Sequence, residues 1–95
     1  MKYEWDEAKR LANLRKHGVD FADINAFDWN ASIEWIDDTE DYGEERIVAL
    51  GPFRGRIHSV AYAPRRGRTR IISFRKANRK EIRRYEEEKA RSSGL

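Results

Sequence analysis

The chain has 95 residues, which is enough for one small domain with a modest core, and we expect a single domain over residues 1–95. It has no cysteine, which excludes disulfides and thiolate metal sites. The sequence shows no signal-peptide pattern and no apolar run long enough to span a membrane, so we expect a cytoplasmic protein without membrane contact.

The formal net charge of +3 conceals an uneven distribution along the chain. Residues 1–45 carry 13 acidic and 5 basic side chains, whereas residues 46–95 carry 15 basic and 4 acidic ones. Charge separated in this way favours a surface that binds a polyanion. The alternative is a solvated surface whose acidic residues happen to lie elsewhere in the chain.

Two N-terminal helices joined by a tight corner are predicted. Asp6 can cap the first helix, which ends near His17, and Gly18 follows as a left-handed C-cap. Asp20 can cap a second, shorter helix from Phe21 to about Phe27.

From Ile33 the pattern changes to that of strands. The short connections imply an antiparallel meander. The predicted strands are Ile33 to Ile36, Ile47 to Leu50, Ile57 to Ala63 and Arg68 to Lys76. Asn78 and Glu81 form a capping box for a last helix, about Arg79 to Ala90. The predicted fold is α+β: two N-terminal helices, a four-stranded antiparallel sheet and a C-terminal helix, with one sheet face available for a ligand.

The stretch from Arg66 to Lys80 is strongly basic: seven of its fifteen residues are Arg or Lys and none is acidic. Side-chain alternation on the predicted fourth strand puts Arg68 and Arg70 on one face and Arg75 on the other. Basic side chains two residues apart lie about 6.6 Å from each other, which fits the spacing of nucleic-acid phosphates. The alternative is that these arginines pair with the acidic N-terminal half.

Three features are weighed as candidates for acid–base or metal chemistry. His17 can act as an acid or a base, because imidazole titrates near neutral pH, but a histidine in the last turn of a helix can equally have only a structural role. His58, inside a strand, is interpreted as a packing or surface residue. The acidic cluster from Asp37 to Asp41 lacks the spacing of a calcium loop and is interpreted as a solvated turn. No metal or other cofactor is expected.

Three blocks of sequence resemble the BrnT family of type II toxins, which are ribonucleases with a RelE-like fold. They are "WDEAKRLANLRKHGVDF" (residues 5–21), "YGEERIVALG" (42–51) and "RIISFRKANRKE" (70–81). The chain departs from the family pattern at Trp29, at His58 and at Ala63-Pro64. The resemblance implies metal-independent cleavage of RNA and neutralisation by a cognate antitoxin with a ribbon-helix-helix DNA-binding domain. It also implies that the complex of the two proteins binds operator DNA.

Metal-independent cleavage of RNA uses the 2′-hydroxyl as nucleophile. It needs a base, positive charge at the scissile phosphate and an acid for the leaving oxygen. We therefore assign catalysis to His17, as acid or base, and to Arg70 and Arg75, which can grip a phosphate with two donors. The residues expected to bind RNA are Lys16, Arg56, Arg68, Lys76 and Arg79. The alternative function is a non-catalytic nucleic-acid-binding module that uses the basic segment 66–80.

Overall fold

The computed structural model describes residues 1–93 of the chain. Within this range, two α-helices, two 3₁₀-helices and five strands form the fold. In chain order they are β1 (Lys2–Glu4), α1 (Glu7–His17), the 3₁₀-helices Phe21–Ala26 and Trp29–Ala31, β2 (Ile33–Ile36), β3 (Ile47–Phe53), β4 (Arg56–Arg65), β5 (Arg68–Lys76) and α2 (Arg79–Ser93).

The strands form one mixed sheet in the order β1-β5-β4-β3-β2. β1 runs parallel to β5, and the other neighbouring pairs are antiparallel. The predicted four-stranded antiparallel sheet is therefore wrong. The three residues of β1 are too few to show alternation in the sequence, and they become a strand by pairing with Arg68 to Arg70 of β5.

The predicted second N-terminal α-helix is also wrong, because residues 21–26 form a 3₁₀-helix. Its predicted cap is confirmed, since the Asp20 side chain accepts a hydrogen bond from the first turn. Phe21, Ile24 and Phe27 are spaced three residues apart, and each is at most 3% exposed. A 3₁₀-helix repeats every three residues, so it aligns these three side chains towards the core.

Helix α1 begins and ends where the sequence predicts. Asp6 accepts a hydrogen bond from the main-chain N–H of Lys9 (3.1 Å). Gly18 has φ of +69°, and its N–H donates to the carbonyl of Leu14 (2.8 Å). The buried side chain of α1 is Asn13, which is 8% exposed. Polar bonds therefore hold this helix on the sheet, with little contribution from an apolar stripe.

A β-bulge interrupts β5 at Ile72. Cross-strand pairing joins Ile71 to Tyr62 and Ser73 to Ala61, so Ile72 has no partner on β4. One extra residue in a strand moves every following side chain to the other face of the sheet.

The bulge decides which side chains of β5 are buried. Ile71 and Phe74 both face the core, at 1% and 0% exposed, although they are three residues apart. Arg70 and Arg75 consequently share the opposite face, together with Arg68. The prediction that Arg75 lies on the other face from Arg68 and Arg70 is wrong.

The main core lies on the face of the sheet that meets α1 and the first 3₁₀-helix. Its buried members are Val19, Phe21, Ile24, Phe27, Ala49, Phe53, Val60, Ile71 and Phe74. On the opposite face, α2 packs against β2 and β3. Arg84 lies 3.7 Å over the ring of Trp35, and the hydroxyl of Tyr85 donates to the carbonyl of Ala31 (2.7 Å). The part of this face near β5 stays open beside α2.

Candidate functional site

A cleft of about 430 Å³ lies between the first turn of α2 and the sheet face opposite the main core. We call it the α2 cleft. It is lined by Trp35, Asp37, Thr39, Arg46, Val48, Ser59, Ala61, Ile72, Ser73, Arg75 and Glu81. The lining of the cleft thus combines four charged side chains, two of each sign, with small and apolar residues.

Arg75 is held in the α2 cleft by two parallel hydrogen bonds to Glu81, at 2.8 and 3.0 Å. Glu81 also accepts the main-chain N–H of Asn78 (2.9 Å), which completes the predicted capping box. Burial raises the pKa of Glu81, but the hydrogen bonds from Arg75 and Asn78 outweigh it and the pKa lies below its usual range. The ion pair with Glu81 raises the pKa of Arg75. Both groups are therefore charged at neutral pH, and the guanidinium has a fixed orientation.

His17 ends α1 beside β5, in a shallow groove of about 300 Å³ that also contains Lys16 and Ile72. Ile72 lines both this groove and the α2 cleft, so the two depressions adjoin at the bulge. Partial burial lowers the pKa of His17, and the positive charges of Lys16 and Arg75 lower it further. A neutral imidazole at physiological pH can accept a proton.

Arg70 does not line the α2 cleft. Its guanidinium forms an ion pair with Glu4 of β1 (2.9 Å), its neighbour in the parallel ladder. Arg68 lines a separate depression of about 630 Å³ with Glu4 and Glu44, where Arg65 pairs with Glu44 (2.9 Å). The structure therefore separates Arg68 and Arg70 from His17 and Arg75.

Arg56 and Arg79 come together in a third depression, of about 570 Å³, which also contains Arg83. Helix α2 stands between this depression and the α2 cleft, because Glu81 and Arg79 point to opposite sides of its first turn. Lys76 is exposed at the end of β5, opposite His58 in the ladder. Of the eight site residues predicted from the sequence, Arg75 lines the α2 cleft, and His17 and Lys16 line the adjoining groove.

Residues 5–81 match the model of a protein family described as "Ribonuclease toxin, BrnT, of type II toxin-antitoxin system". The chain belongs to the BrnT family. This family assignment confirms the resemblance seen in the sequence, and it implies an RNA substrate and an antitoxin partner. The match includes α1, strands β2 to β5 and the start of α2, whereas β1 precedes the matched range. A comparison with curated proteins gave no match.

Arg46 also lines the α2 cleft and was not predicted from the sequence. Its guanidinium lies 3.9 Å from the centre of the Tyr42 ring and lines the α2 cleft. The signal available was its position in the family block "YGEERIVALG", but no periodicity placed it near Arg75. Glu81 was recognised as a capping residue, whereas its ion pair with Arg75 depends on the tertiary structure.

The other sequence candidates have structural roles in this BrnT-family chain. His58 is 4% exposed, and its ring contacts Phe53 and Phe74 edge-to-face, with centroids 4.8 and 5.8 Å away. Burial lowers the pKa of His58. The predicted packing role of His58 is confirmed.

Neither α-helix in residues 1–93 is long and apolar enough to cross a membrane.

The acidic turn after β2 is organised by its own side chains. Asp37 accepts the main-chain N–H of Thr39 (3.1 Å), the Thr39 hydroxyl (2.7 Å) and the Tyr42 hydroxyl (3.2 Å). These bonds to Thr39 and Tyr42 lower the pKa of Asp37. Among residues 1–93, no group of three or more His, Cys, Asp or Glu side chains is placed to hold a metal ion.

Proposed function

We propose that this BrnT-family chain is a metal-independent endoribonuclease of the cytoplasm that cleaves RNA where the α2 cleft meets the His17 groove. The observation that carries the proposal is the bulge at Ile72. The bulge puts Arg75 on the open face, and Ile72 itself lines both the α2 cleft and the groove of His17. The positive charge around the scissile phosphate is supplied by fixed guanidinium groups.

In the proposed mechanism, the ribose 2′-oxygen attacks its own 3′-phosphate and the bond to the 5′-oxygen of the next nucleotide breaks. His17 accepts the proton of the 2′-hydroxyl, because its lowered pKa keeps the imidazole neutral at physiological pH. Arg75 donates to the phosphate oxygens, on which negative charge accumulates in the transition state. The leaving 5′-oxygen takes a proton from solvent water, and His17 returns its own proton to solvent, so the products are a 2′,3′-cyclic phosphate and a free 5′-hydroxyl.

The hydrogen bonds of Arg75 leave donors available for this role. Nη1 donates to Glu81 and to the carbonyl of Lys76 (3.2 Å), and Nη2 donates once to Glu81. A guanidinium has five N–H groups, so the Nε–H and one Nη2–H remain for a phosphate. Glu81 thus fixes the direction of the free donors, which lowers the entropy cost of gripping the phosphate.

The remaining predicted residues are proposed to bind the RNA backbone on either side of the cleavage point. Lys16 adjoins His17 in the same groove. Arg68 and Arg70 lie on the same face of β5 as Arg75. Arg70 was predicted to be catalytic; because it pairs with Glu4 and lies outside the α2 cleft, we propose that it binds the backbone instead. Arg56 and Arg79, with Lys76 nearby in the chain, lie on the far side of α2 and extend the positive surface. These residues contribute affinity and register, and the chemical step depends on His17 and Arg75.

The antitoxin partner is proposed to be a ribbon-helix-helix protein, whose complex with this chain binds operator DNA. An acidic or amphipathic segment of that partner would suit the basic second half of the chain. Growth arrest by this chain alone, relieved by co-expression with such a partner, is the expected result. Unaffected growth on expression of the chain alone would contradict the toxin proposal.

The experiment that tests the proposed function is incubation of the purified protein with single-stranded RNA in excess EDTA. We expect shortened products with 2′,3′-cyclic phosphate and 5′-hydroxyl ends, and no cleavage at a single 2′-deoxy nucleotide. A band that shifts without shortening would indicate a non-catalytic nucleic-acid-binding module. Cleavage abolished by EDTA and restored by Mg²⁺ would overturn the metal-independent mechanism.

A further inference from the structure

Arg46 has surroundings unlike those of the other arginines on the open face of the sheet. It directly precedes β3, and its main-chain carbonyl accepts the N–H of Asp37 (2.8 Å), so its backbone is fixed to the sheet. The guanidinium stacks on Tyr42 and is half-buried at the wall of the α2 cleft. Its Nε is fully buried and has no hydrogen-bond partner among residues 1–93.

The charge of Arg46 is not neutralised by an ion pair in the described part of the chain. Arg70 pairs with Glu4 and Arg75 pairs with Glu81, whereas Arg46 has no carboxylate within ion-pair distance. A half-buried cation that has no carboxylate in direct contact is unfavourable for folding. Buried polar groups without partners are rare, and this kind of local cost is typical of functional sites.

The carboxylate that interacts electrostatically with Arg46 is already engaged. Asp37 accepts its hydrogen bonds from Thr39 and Tyr42, and the charge of Arg46 is the smallest of the effects that lower its pKa. Tyr42 therefore has two functions. Its hydroxyl holds Asp37, and its ring fixes the guanidinium of Arg46.

Two serine hydroxyls also line the α2 cleft. Ser59 lies directly opposite Arg75 in the ladder, and Ser73 precedes Arg75 by two residues on the same face. Both residues line the α2 cleft with Arg46, and Ser73 is the more accessible of the two, since Ser59 is 4% exposed. Serine hydroxyls, guanidinium groups and the free donors of Arg75 are all groups that donate to phosphate oxygens.

We propose that Arg46, with Ser59 and Ser73, binds a backbone phosphate of single-stranded RNA next to the one held by Arg75. The proposal deepens the proposed ribonuclease function, on which it rests for the identity of the ligand. Arg46 is a binding residue whose terminal nitrogens contact the phosphate, while the Tyr42 ring holds the guanidinium in place. The bound phosphate supplies the ion-pair partner that Arg46 lacks among residues 1–93.

The test uses a short 2′-O-methyl oligoribonucleotide in EDTA, because its blocked 2′-oxygen cannot attack the phosphate. Arg46→Gln is expected to weaken binding about tenfold or more, the scale for losing a charge-assisted hydrogen bond. It should also reduce the salt-dependence slope by about 0.7, the value for one phosphate contact on a single strand. Arg91→Gln is the matched control, since Arg91 lies in the last turns of α2 and pairs with Glu88 outside the cleft.

Two further variants separate binding from folding. Arg46→Lys keeps a positive charge without the planar stack on Tyr42 and should recover part of the affinity. Ser73→Ala removes one hydroxyl from the cleft without touching Arg46, and it should weaken binding several-fold. Thermal unfolding of each variant identifies those that are folded. If Arg46→Gln is unstable, Ser73→Ala and Arg46→Lys decide the question.

The possible outcomes distinguish this proposal from the proposed function. If RNA is cleaved but folded Arg46→Gln and Ser73→Ala bind the oligonucleotide as the wild type does, the phosphate site is wrong and the ribonuclease function stands. If RNA is not cleaved but binding depends on Arg46 with the expected slope, the function is wrong and the phosphate site stands. If Arg46→Gln weakens only antitoxin binding, Arg46 belongs to a protein interface and the proposal is overturned.

Discussion

Asn13 hydrogen-bonds both main-chain groups of Phe74 and so attaches α1 to the edge of β5. Its side-chain nitrogen donates to the Phe74 carbonyl (2.7 Å), and its side-chain oxygen accepts the Phe74 N–H (3.2 Å). The same nitrogen donates to the Val19 carbonyl (2.9 Å). β1 pairs with β5 only as far as Arg70. Beyond that point, Asn13 takes the place of a neighbouring strand by bonding the main-chain groups of Phe74. This attachment places His17 near Arg75.

We predict that Asn13→Leu destabilises the fold by roughly 2–4 kcal/mol, because it leaves buried main-chain groups of Phe74 and Val19 without partners. Unfolding in urea measures the free energy. Asn25→Ala is the control, since Asn25 is exposed on the first 3₁₀-helix and should change stability by less than about 0.5 kcal/mol. Equal effects of the two substitutions would show that α1 is not held by this polar contact.

Arg75→Ala should reduce kcat by about 100-fold or more, the usual scale for removing a donor to the transition state. Arg75→Lys should recover only part of the rate, because an ammonium group cannot keep two bonds to Glu81 and also direct donors at a phosphate. Arg70→Ala provides the comparison: it lies outside the α2 cleft and should raise KM with little change in kcat. Steady-state kinetics on a defined RNA separates these effects. A normal kcat for folded Arg75→Ala would remove Arg75 from the chemistry.

The dependence of kcat/KM on pH should report His17 as a base. The rate should fall as the pH drops, with a midpoint below about 6.5, the ordinary histidine value, because the pKa of His17 is lowered. His17→Gln should abolish this acidic limb and lower the rate by about 100-fold. Removing the charge in Arg75→Gln should move the midpoint to higher pH, provided that residual activity is measurable. An acidic limb that persists in His17→Gln would return His17 to a structural role at the end of α1.

Glu81→Gln should destabilise the fold by about 1 kcal/mol at neutral pH, because the amide can keep the capping bond to Asn78 but loses the charge that pairs with Arg75. Because the pKa of Glu81 is lowered in the folded state, its charge stabilises the fold above the pKa of the unfolded carboxyl. That contribution is lost as the pH falls through the lower folded value. The stability difference between wild type and Glu81→Gln should therefore shrink below roughly pH 4. Glu87→Gln, exposed on the same helix, is the control. A difference that stays constant down to pH 2–3 would contradict the charged pair.

Much of the fold can be predicted from local sequence. Caps and a left-handed glycine mark both ends of α1, and alternating apolar residues mark β2 to β5, because these signals act within a few residues. The short strand β1 could not be predicted in this way, since its pairing with β5 supplies the only hydrogen bonds that make it a strand. The spacing of Phe21, Ile24 and Phe27 did carry a signal for a 3₁₀-helix, which the α-helical interpretation overlooked.

The candidate site was predicted less completely than the family. The basic segment and His17 were identified by residue type, but alternation placed Arg75 on the wrong face because a bulge leaves no pattern in a strand with mixed faces. Arg46 was missed because it lies 29 residues before Arg75 in the chain, and only the sheet brings the two together in one cleft.

The sequence by itself determined the family, the strong basic character of the second half and the ends of α1. These depend on residue types, on charge and on hydrogen bonds between near neighbours. The tertiary structure alone decided which arginines are neutralised and which face Arg75 occupies. Those properties follow from contacts across the sheet, such as Glu4 with Arg70 and Asn13 with Phe74, and from one unpaired residue at Ile72. Long-range contacts of this kind produce no periodic pattern in the local sequence, so they can be identified only in the folded structure.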